Sequence, residues 1–271
     1  MSKVLIIGGS GYIGQAIYKE LCGYMDTYST YFTNRSFAKN QHFFHFDVER
    51  NGIDQIIAQV RPQIIISALR GNFEAQVDMH QYLTKYVSKH DCKLIFLSSA
   101  NVFDTFVNFP SYEYDKTFSE SIYGRLKIKI ENMLMRLPQK KWAIARMPMV
   151  FGAQSPRVKE LRLHIDNKVP YEVFPNLVMN VASDRKVTQQ LHYIINRKRS
   201  GIYHMGSNDL IHHNEFIAEL VAALQLKKPV YKSVYTANFD RYLAVLPRDH
   251  KLPKHLQYEH HAVLRDVLLL K

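Results

Sequence analysis

Tyr123 and Lys127 stand four residues apart, and their pairing carries the clearest chemistry in this chain. On a helix, positions i and i+4 share a face. An ammonium beside a phenol favours the phenolate and lowers the tyrosine pKa. A phenol tuned in this way gives a proton to a carbonyl oxygen, or takes one from an alcohol, as hydride moves at the carbon. The spacing alone is cheap in a chain with 17 tyrosines, and Tyr112 and Lys116 repeat it. Context separates the two pairs. Tyr112 lies in a polar stretch after Pro110, whereas Tyr123 opens an amphipathic run through Leu126, Ile130, Met133, Leu134 and Leu137. Such a run can hold a pair rigidly. Ser98 and Ser99 close an apolar run, where a hydroxyl can bond a substrate carbonyl and steady charge developing on its oxygen. Strand alternation turns the two serines opposite ways, and Ser99 is the one expected to face substrate. A turn cap is the other common use of a serine there.

A second constellation suits a dinucleotide. Gly8, Gly11 and Gly14 follow the first apolar run at once and open a helical pattern. Glycines there permit a tight turn, let the backbone approach a pyrophosphate and let the helix pack close to the strand. The N–H groups of the helix then face the phosphates. The second strand and its exit, residues 27 to 36, hold no Asp or Glu but end on Asn34 and Arg35. A carboxylate there would bond the adenosine ribose, whereas an arginine attracts a 2′-phosphate. The pattern therefore points to NADP(H) ahead of NAD(H). Asp47, after the third strand, can accept from the adenine amino group, or cap the helix that follows.

These residues need a scaffold. Strands are expected at Lys3–Gly8, Thr27–Phe32, His42–Phe46, Gln63–Ser67, Lys93–Ser98 and Trp142–Met147, with helices at Tyr12–Cys22, Ile53–Val60, Phe73–His90 and Ser121–Leu137. That alternation implies right-handed βαβ units, a parallel sheet, and ligands outside the carboxyl ends of its strands. After Gly152 the pattern loosens. Helices are expected at Arg157–Asn167, Asp184–Asn196 and Asn214–Leu224, an extended segment at Val169–Val178, and a short strand at Gly201–Met205. The expected architecture is an α/β, Rossmann-type, doubly wound parallel sheet with a small C-terminal substrate lobe. Residues 1–152 and 181–206 form the nucleotide-binding domain, and 153–180 with 207–271 the lobe.

Composition narrows the setting. Hydrophobic residues make up 46% of the 271 and charged residues 22%, enough to build a core and against global disorder. The net charge of +12 suits an anionic ligand or a solvated basic surface, and its lysines and arginines are dispersed rather than gathered into a nucleic-acid tail. Two cysteines, Cys22 and Cys92, give neither a disulfide framework nor a metal-ligand spacing. No metal is expected. With no signal peptide and no apolar stretch of membrane-spanning length, the expected setting is the cytoplasm, without a membrane partner.

The full set of motifs resembles the extended short-chain dehydrogenase/reductase superfamily. The set comprises Gly8-x-x-Gly11-x-x-Gly14, Ser98-Ser99-Ala100-Asn101-Val102-Phe103-Asp104, Tyr123-x-x-x-Lys127, Arg146-Met147-Pro148 and Gly201-Ile202-Tyr203-His204-Met205-Gly206. Within that superfamily it is most similar to the dTDP-4-dehydrorhamnose reductase branch. The resemblance implies catalytic roles for Ser99, Tyr123 and Lys127. It implies cofactor contacts from Gly8, Ser10, Gly11, Tyr12, Ile13, Gly14, Asn34, Arg35, Asp47, Val48, Ser67 and Ala68, and again from Tyr123 and Lys127. Dehydratases of the superfamily carry an acid pair where this chain has Ala100 and Asn101, which argues against dehydration. The family's usual helical asparagine has no clear counterpart near Met79 and His80.

The expected activity is reduction of a keto group by NAD(P)H, with a nucleotide-activated sugar as substrate and Tyr123 as general acid. Arg157, Lys159 and Arg162 are candidate diphosphate contacts, and a homo-oligomer is compatible with the sequence. The rival readings are a nucleotide-sugar epimerase of the same superfamily and a non-catalytic NAD(P)-binding sensor or partner protein.

Overall fold

A computed structural model describes residues 2–50 and 52–269. The chain begins β1 (Lys3–Ile7), α1 (Tyr12–Leu21), β2 (Asp26–Tyr31), β3 (Phe43–His45), α2 (Ile53–Val60), β4 (Ile64–Ser67), α3 (Phe73–Lys89), β5 (Lys93–Ser99), α4 (Ile122–Met135) and β6 (Trp142–Met147). It continues through β7 (Met149–Phe151), α5 (Pro156–Asp166), β8 (Tyr171–Val173), β9 (Leu177–Met179), β10 (Val181–Ser183), α6 (Asp184–Asn196) and β11 (Gly201–His204). The last elements are β12 (Ile211–His212), α7 (His213–Ala223), β13 (Tyr231–Ser233), β14 (Arg241–Leu243) and α8 (His260–Leu268).

Seven strands form the main sheet in the order β11-β6-β5-β4-β1-β2-β3. β1 pairs in parallel with both β2 and β4, and the parallel pairing continues to β3 on one side and β5 on the other. The order reverses at β1, so successive strands leave it in opposite directions. The carboxyl ends of β1 and β4 thus flank the switch-point crevice where a doubly wound sheet takes its ligand. The central strands are apolar between their end residues because helices cover both faces; Val4 to Ile7, Ile65 and Ile66 are fully buried.

Two compact units share the chain. One comprises Met1–Ser98, Ser121–Ala145 and Leu191–Ile202; the other comprises Ser99–Glu120, Arg146–Gln190 and Tyr203–Lys271. The core of the first gathers Leu5, Ile65, Leu94 and Phe96 from strands, Leu83 and Val87 from α3, and Leu126, Ile130 and Leu134 from α4. These positions recur at helical spacing on α3 and α4, so one stripe of each helix is removed from water. Each such side chain contributes about 1.5–3 kcal/mol by burial. The core of the second unit gathers Phe151, Val158, Leu161, Phe216, Leu220, Val263 and Val267. Its strands are two or three residues long: β7 pairs with β10, β8 with β13, and β9 with both β12 and β14.

Candidate cofactor and catalytic site

The glycine loop leaves β1 at the crevice. Gly8 has φ +88°, in the left-handed region, and an added Cβ there would lie 2.8 Å from the carbonyl oxygen of Ala68. Only glycine meets both conditions. Thr30, on the neighbouring strand, ties the loop down: its Oγ1 accepts from the Gly8 N–H at 2.8 Å and its carbonyl from the Ser10 N–H at 3.2 Å. The Gly11 N–H donates back to the Gly8 carbonyl at 3.1 Å, closing the turn. Tyr12 and Ile13 then start α1, where no side chain caps the helix and no acid stands in the first turn. Gly14 lets α1 sit on the loop, since a Cβ there would overlap the Gly8 carbonyl and lie 2.6 Å from the Gly9 Cα. A tight turn leading into an uncapped helix start fits the pyrophosphate of a dinucleotide.

The other proposed cofactor residues follow or end β2, β3 and β4 on the same unit. Asn34 holds its own turn through Oδ1, accepting from the Ser36 N–H at 3.1 Å and the Ser36 hydroxyl at 2.7 Å. That turn presents Arg35 exposed to solvent beyond β2. Asp47 does not cap α2, whose N-cap is Gly52. Instead its carboxylate accepts from the Glu49 N–H at 3.0 Å and pairs with Arg50 at 3.3 Å, which shapes the loop after β3. Val48 packs against the first core, and a Cβ added at Gly71 would lie 4.0 Å from it. Ser67 ends β4 and is buried, and the Ala68 N–H extends the β4–β1 ladder to the Ile7 carbonyl at 2.9 Å.

Tyr123 and Lys127 stand on α4, which Ser121 caps by accepting from the Gly124 N–H at 3.0 Å. Lys127 is 5% exposed. Its Nζ donates to the Leu97 carbonyl at 3.0 Å and lies 4.6 Å from the centre of the Phe96 ring and 5.4 Å from that of Tyr123. Burial lowers its pKa to about 8, with Glu131 opposing the shift and Arg70 adding to it. The ammonium is thus held still beneath the tyrosine ring, while Tyr123 itself is 41% exposed. Tyr112 differs: it lies in a turn, its N–H bonded to Asp115 at 2.8 Å and its ring covered by the Arg248 guanidinium at 4.2 Å. Lys116 therefore shares no helix face with it.

Ser98 is buried, with an Oγ that makes no hydrogen bond, and Ser99 faces the opposite way, partly exposed. The Ser99 hydroxyl donates to Asn101 Oδ1 at 2.9 Å and accepts from the Asn101 N–H at 3.2 Å. It caps the short 3₁₀ turn Ala100–Phe103 and belongs to the second unit. Arg157 and Lys159 are exposed on α5, with Arg162 partly so.

His80 is the residue that the sequence reading passes over. It is fully buried, with Nδ1 2.6 Å from the Gln76 carbonyl and Nε2 2.9 Å from Ser67 Oγ. A carbonyl only accepts, so Nδ1 carries the proton and Nε2 accepts from the serine. Burial, with some help from the Lys127 charge, lowers the His80 pKa to about 4 against the raising effect of the Gln76 bond. The ring stays neutral and fixes the direction of the Ser67 hydroxyl. Its only sequence signal is a histidine four residues after a glutamine on the buried stripe of α3.

A family model described as RmlD substrate binding domain matches residues 2–251. Methionine adenosyltransferase 2 subunit beta of Bos taurus is 25% identical over 248 residues, covering 83% of this chain and 72% of that protein. Among solved structures, dTDP-4-dehydrorhamnose reductase from Bacillus anthracis, in complex with NADP, aligns with a TM-score of 0.79 at 18% identity, covering 100% of this chain and 99% of that one. UDP-glucose 4-epimerase of Thermus thermophilus, in complex with NAD, aligns at 0.76 and 15%, covering 99% and 100%. Likeness at these identities carries the fold.

Proposed function

Because the chain belongs to the RmlD substrate binding domain family, its model matching nearly the full length, we propose that it reduces a keto group on a nucleotide-activated sugar with NADPH. The observation that carries this reading is Lys127, buried and held 5.4 Å from the ring centre of Tyr123 on the same unit as the glycine loop. The bound nicotinamide cofactor supplies hydride. The chain's residues do the rest. Gly8, Gly11 and Gly14 make the turn against which the pyrophosphate rests, with Ser10, Tyr12 and Ile13 lining it. Asp47, Val48, Ser67 and Ala68 border the adenine and ribose side, and Arg35 with Asn34 reads the 2′-phosphate. Lys127 stabilises the phenolate form of Tyr123 and holds the nicotinamide ribose. Tyr123 delivers its proton to the nascent alkoxide, and Ser99 steadies the carbonyl oxygen.

NADPH consumption with a panel of nucleotide-activated keto sugars tests the proposal, after a thermal-shift screen with NADPH present has picked the binders. Net consumption separates a reductase from an epimerase, which regenerates its cofactor. The likeness to a protein named as a subunit of methionine adenosyltransferase 2 supports a second reading, a partner-binding role. A stoichiometric complex with a methionine adenosyltransferase chain in size-exclusion chromatography, together with no NADPH turnover on any keto sugar, would favour that reading.

A further inference from the structure

The second unit carries a cluster that the reading above leaves unused. His260 and His261 open α8, and Glu219 lies on α7. Glu219 Oε2 is 3.2 Å from His260 Nε2 and 3.8 Å from His261 Nδ1, and one ligand atom from each residue lies within 4.8 Å of the others. The two imidazole rings are tilted together with centroids 3.9 Å apart. Glu219 Oε2 and His260 Nε2 are both buried, yet neither makes a hydrogen bond. The two atoms lie 3.2 Å apart, each with hydrogen-bonding or ligating capacity unused.

Asp209 orients the His260 ring. Its carboxylate accepts from the His260 N–H at 3.0 Å and touches ring Nδ1 at 2.5 Å. A carboxylate accepts, so Nδ1 carries the proton, and in the neutral ring Nε2 keeps its lone pair. A carboxylate behind an imidazole is the arrangement that orients a metal-ligating histidine and raises its basicity. The same carboxylate offsets the positive end of α8.

We propose that Glu219, His260 and His261 form a binding site for a borderline divalent cation such as Zn²⁺. Zinc bonds of about 2.0–2.2 Å place tetrahedral ligand atoms roughly 3.3 Å apart, close to the 3.2 and 3.8 Å found here. Two imidazoles and one carboxylate suit zinc, whereas Mg²⁺ and Ca²⁺ take oxygen donors. Three protein ligands leave the fourth position to a water on the side of His261, which is exposed. A bound ion ties α7 to the start of α8. The competing arrangement is a protonated His260 lying between the Asp209 and Glu219 carboxylates.

Titrating Zn²⁺ into the chelator-treated, dialysed full chain by calorimetry tests this, with Mg²⁺ as the hard-cation control. The expected result is one Zn²⁺ per chain, no Mg²⁺ uptake, and tetrahedral visible absorption when Co²⁺ replaces Zn²⁺. Glu219→Gln and His261→Ala each leave the Asp209–His260 contact in place and should weaken Zn²⁺ binding at least about tenfold. His255→Ala, an exposed histidine elsewhere, should bind as the wild type does. Absence of saturable one-to-one binding in the wild type overturns the proposal in favour of the protonated histidine. Undiminished binding in both ligand variants overturns it in favour of histidines elsewhere.

Discussion

Removing a single hydroxyl tests which of the two tyrosine–lysine pairs carries the chemistry. Tyr123→Phe keeps the ring and its packing 6.3 Å from Phe73, so cofactor affinity should hold while turnover falls roughly a hundredfold to ten-thousandfold. Tyr112→Phe, in a turn beneath Arg248, should leave the rate near normal. Steady-state kinetics on both variants check the choice, and reversed results would assign the chemistry to Tyr112. Arg35→Ala should raise the dissociation constant for NADPH and leave that for NADH nearly unchanged, measured by cofactor fluorescence. An equal loss for both would show that Arg35 does not read the phosphate. The spacing of Tyr123 and Lys127 was legible because a helix converts spacing into direction. What surrounds Lys127 was not: the Leu97 carbonyl and the Phe96 ring arrive from strand β5, about thirty residues earlier in the chain. Asp47 shows the same limit. Its place in the sequence allowed a helix cap, but Gly52 takes that role and the carboxylate turns back to Glu49 and Arg50.

At the scale of elements, α1 depends on a glycine that helix propensity would remove. Alanine is favoured over glycine inside a helix by about 1 kcal/mol. At Gly14 the added methyl would overlap the Gly8 carbonyl, so the helix must move away from the strand. Gly14→Ala should cost roughly 1–3 kcal/mol in urea unfolding and weaken NADPH binding with it. Gly23→Ala meets nothing within 4 Å and should stay within about 0.5 kcal/mol of the wild type. Equal stabilities for the two variants would mean that the loop tolerates a side chain at position 14. The long elements were readable because apolar residues repeat along them: α3, α4 and the strands β1 to β6 lie within a few residues of their expected spans. The strands of the second unit were not. β7, β10 and β12 to β14 are two or three residues long, too short for a period, and exist because a partner strand lies alongside.

At the scale of the whole molecule, buried neutral histidines make the fold sensitive to acid. His80, His204 and His213 are all buried, with pKa values lowered, chiefly by burial, to about 4, 3 and 4. The unfolded chain takes up protons at these sites as pH falls through about 6.5, while the folded chain refuses them. Stability is therefore full above pH 6.5 and declines as pH drops toward 4, by roughly 1–2 kcal/mol per histidine at pH 5. The urea midpoint should fall between pH 7 and pH 5, and His80→Gln should flatten that decline. A midpoint that stays constant over this range would mean that the three rings are not excluded from protonation.

The interleaving of the two units has a consequence for synthesis. The first unit is not finished until Leu191–Ile202 has been made, and the second draws on residues beyond that. Until β11 leaves the ribosome, the growing chain has no strand to cover the outer edge of β6. At about 5–20 residues per second, the stretch from residue 148 to 204 takes seconds to appear. An apolar strand edge is exposed throughout that wait, open to pairing with another nascent chain. Arranging two units from alternating segments thus delays completion of the first until residue 202 and of the second until later still, and gives chaperones a defined interval in which to act.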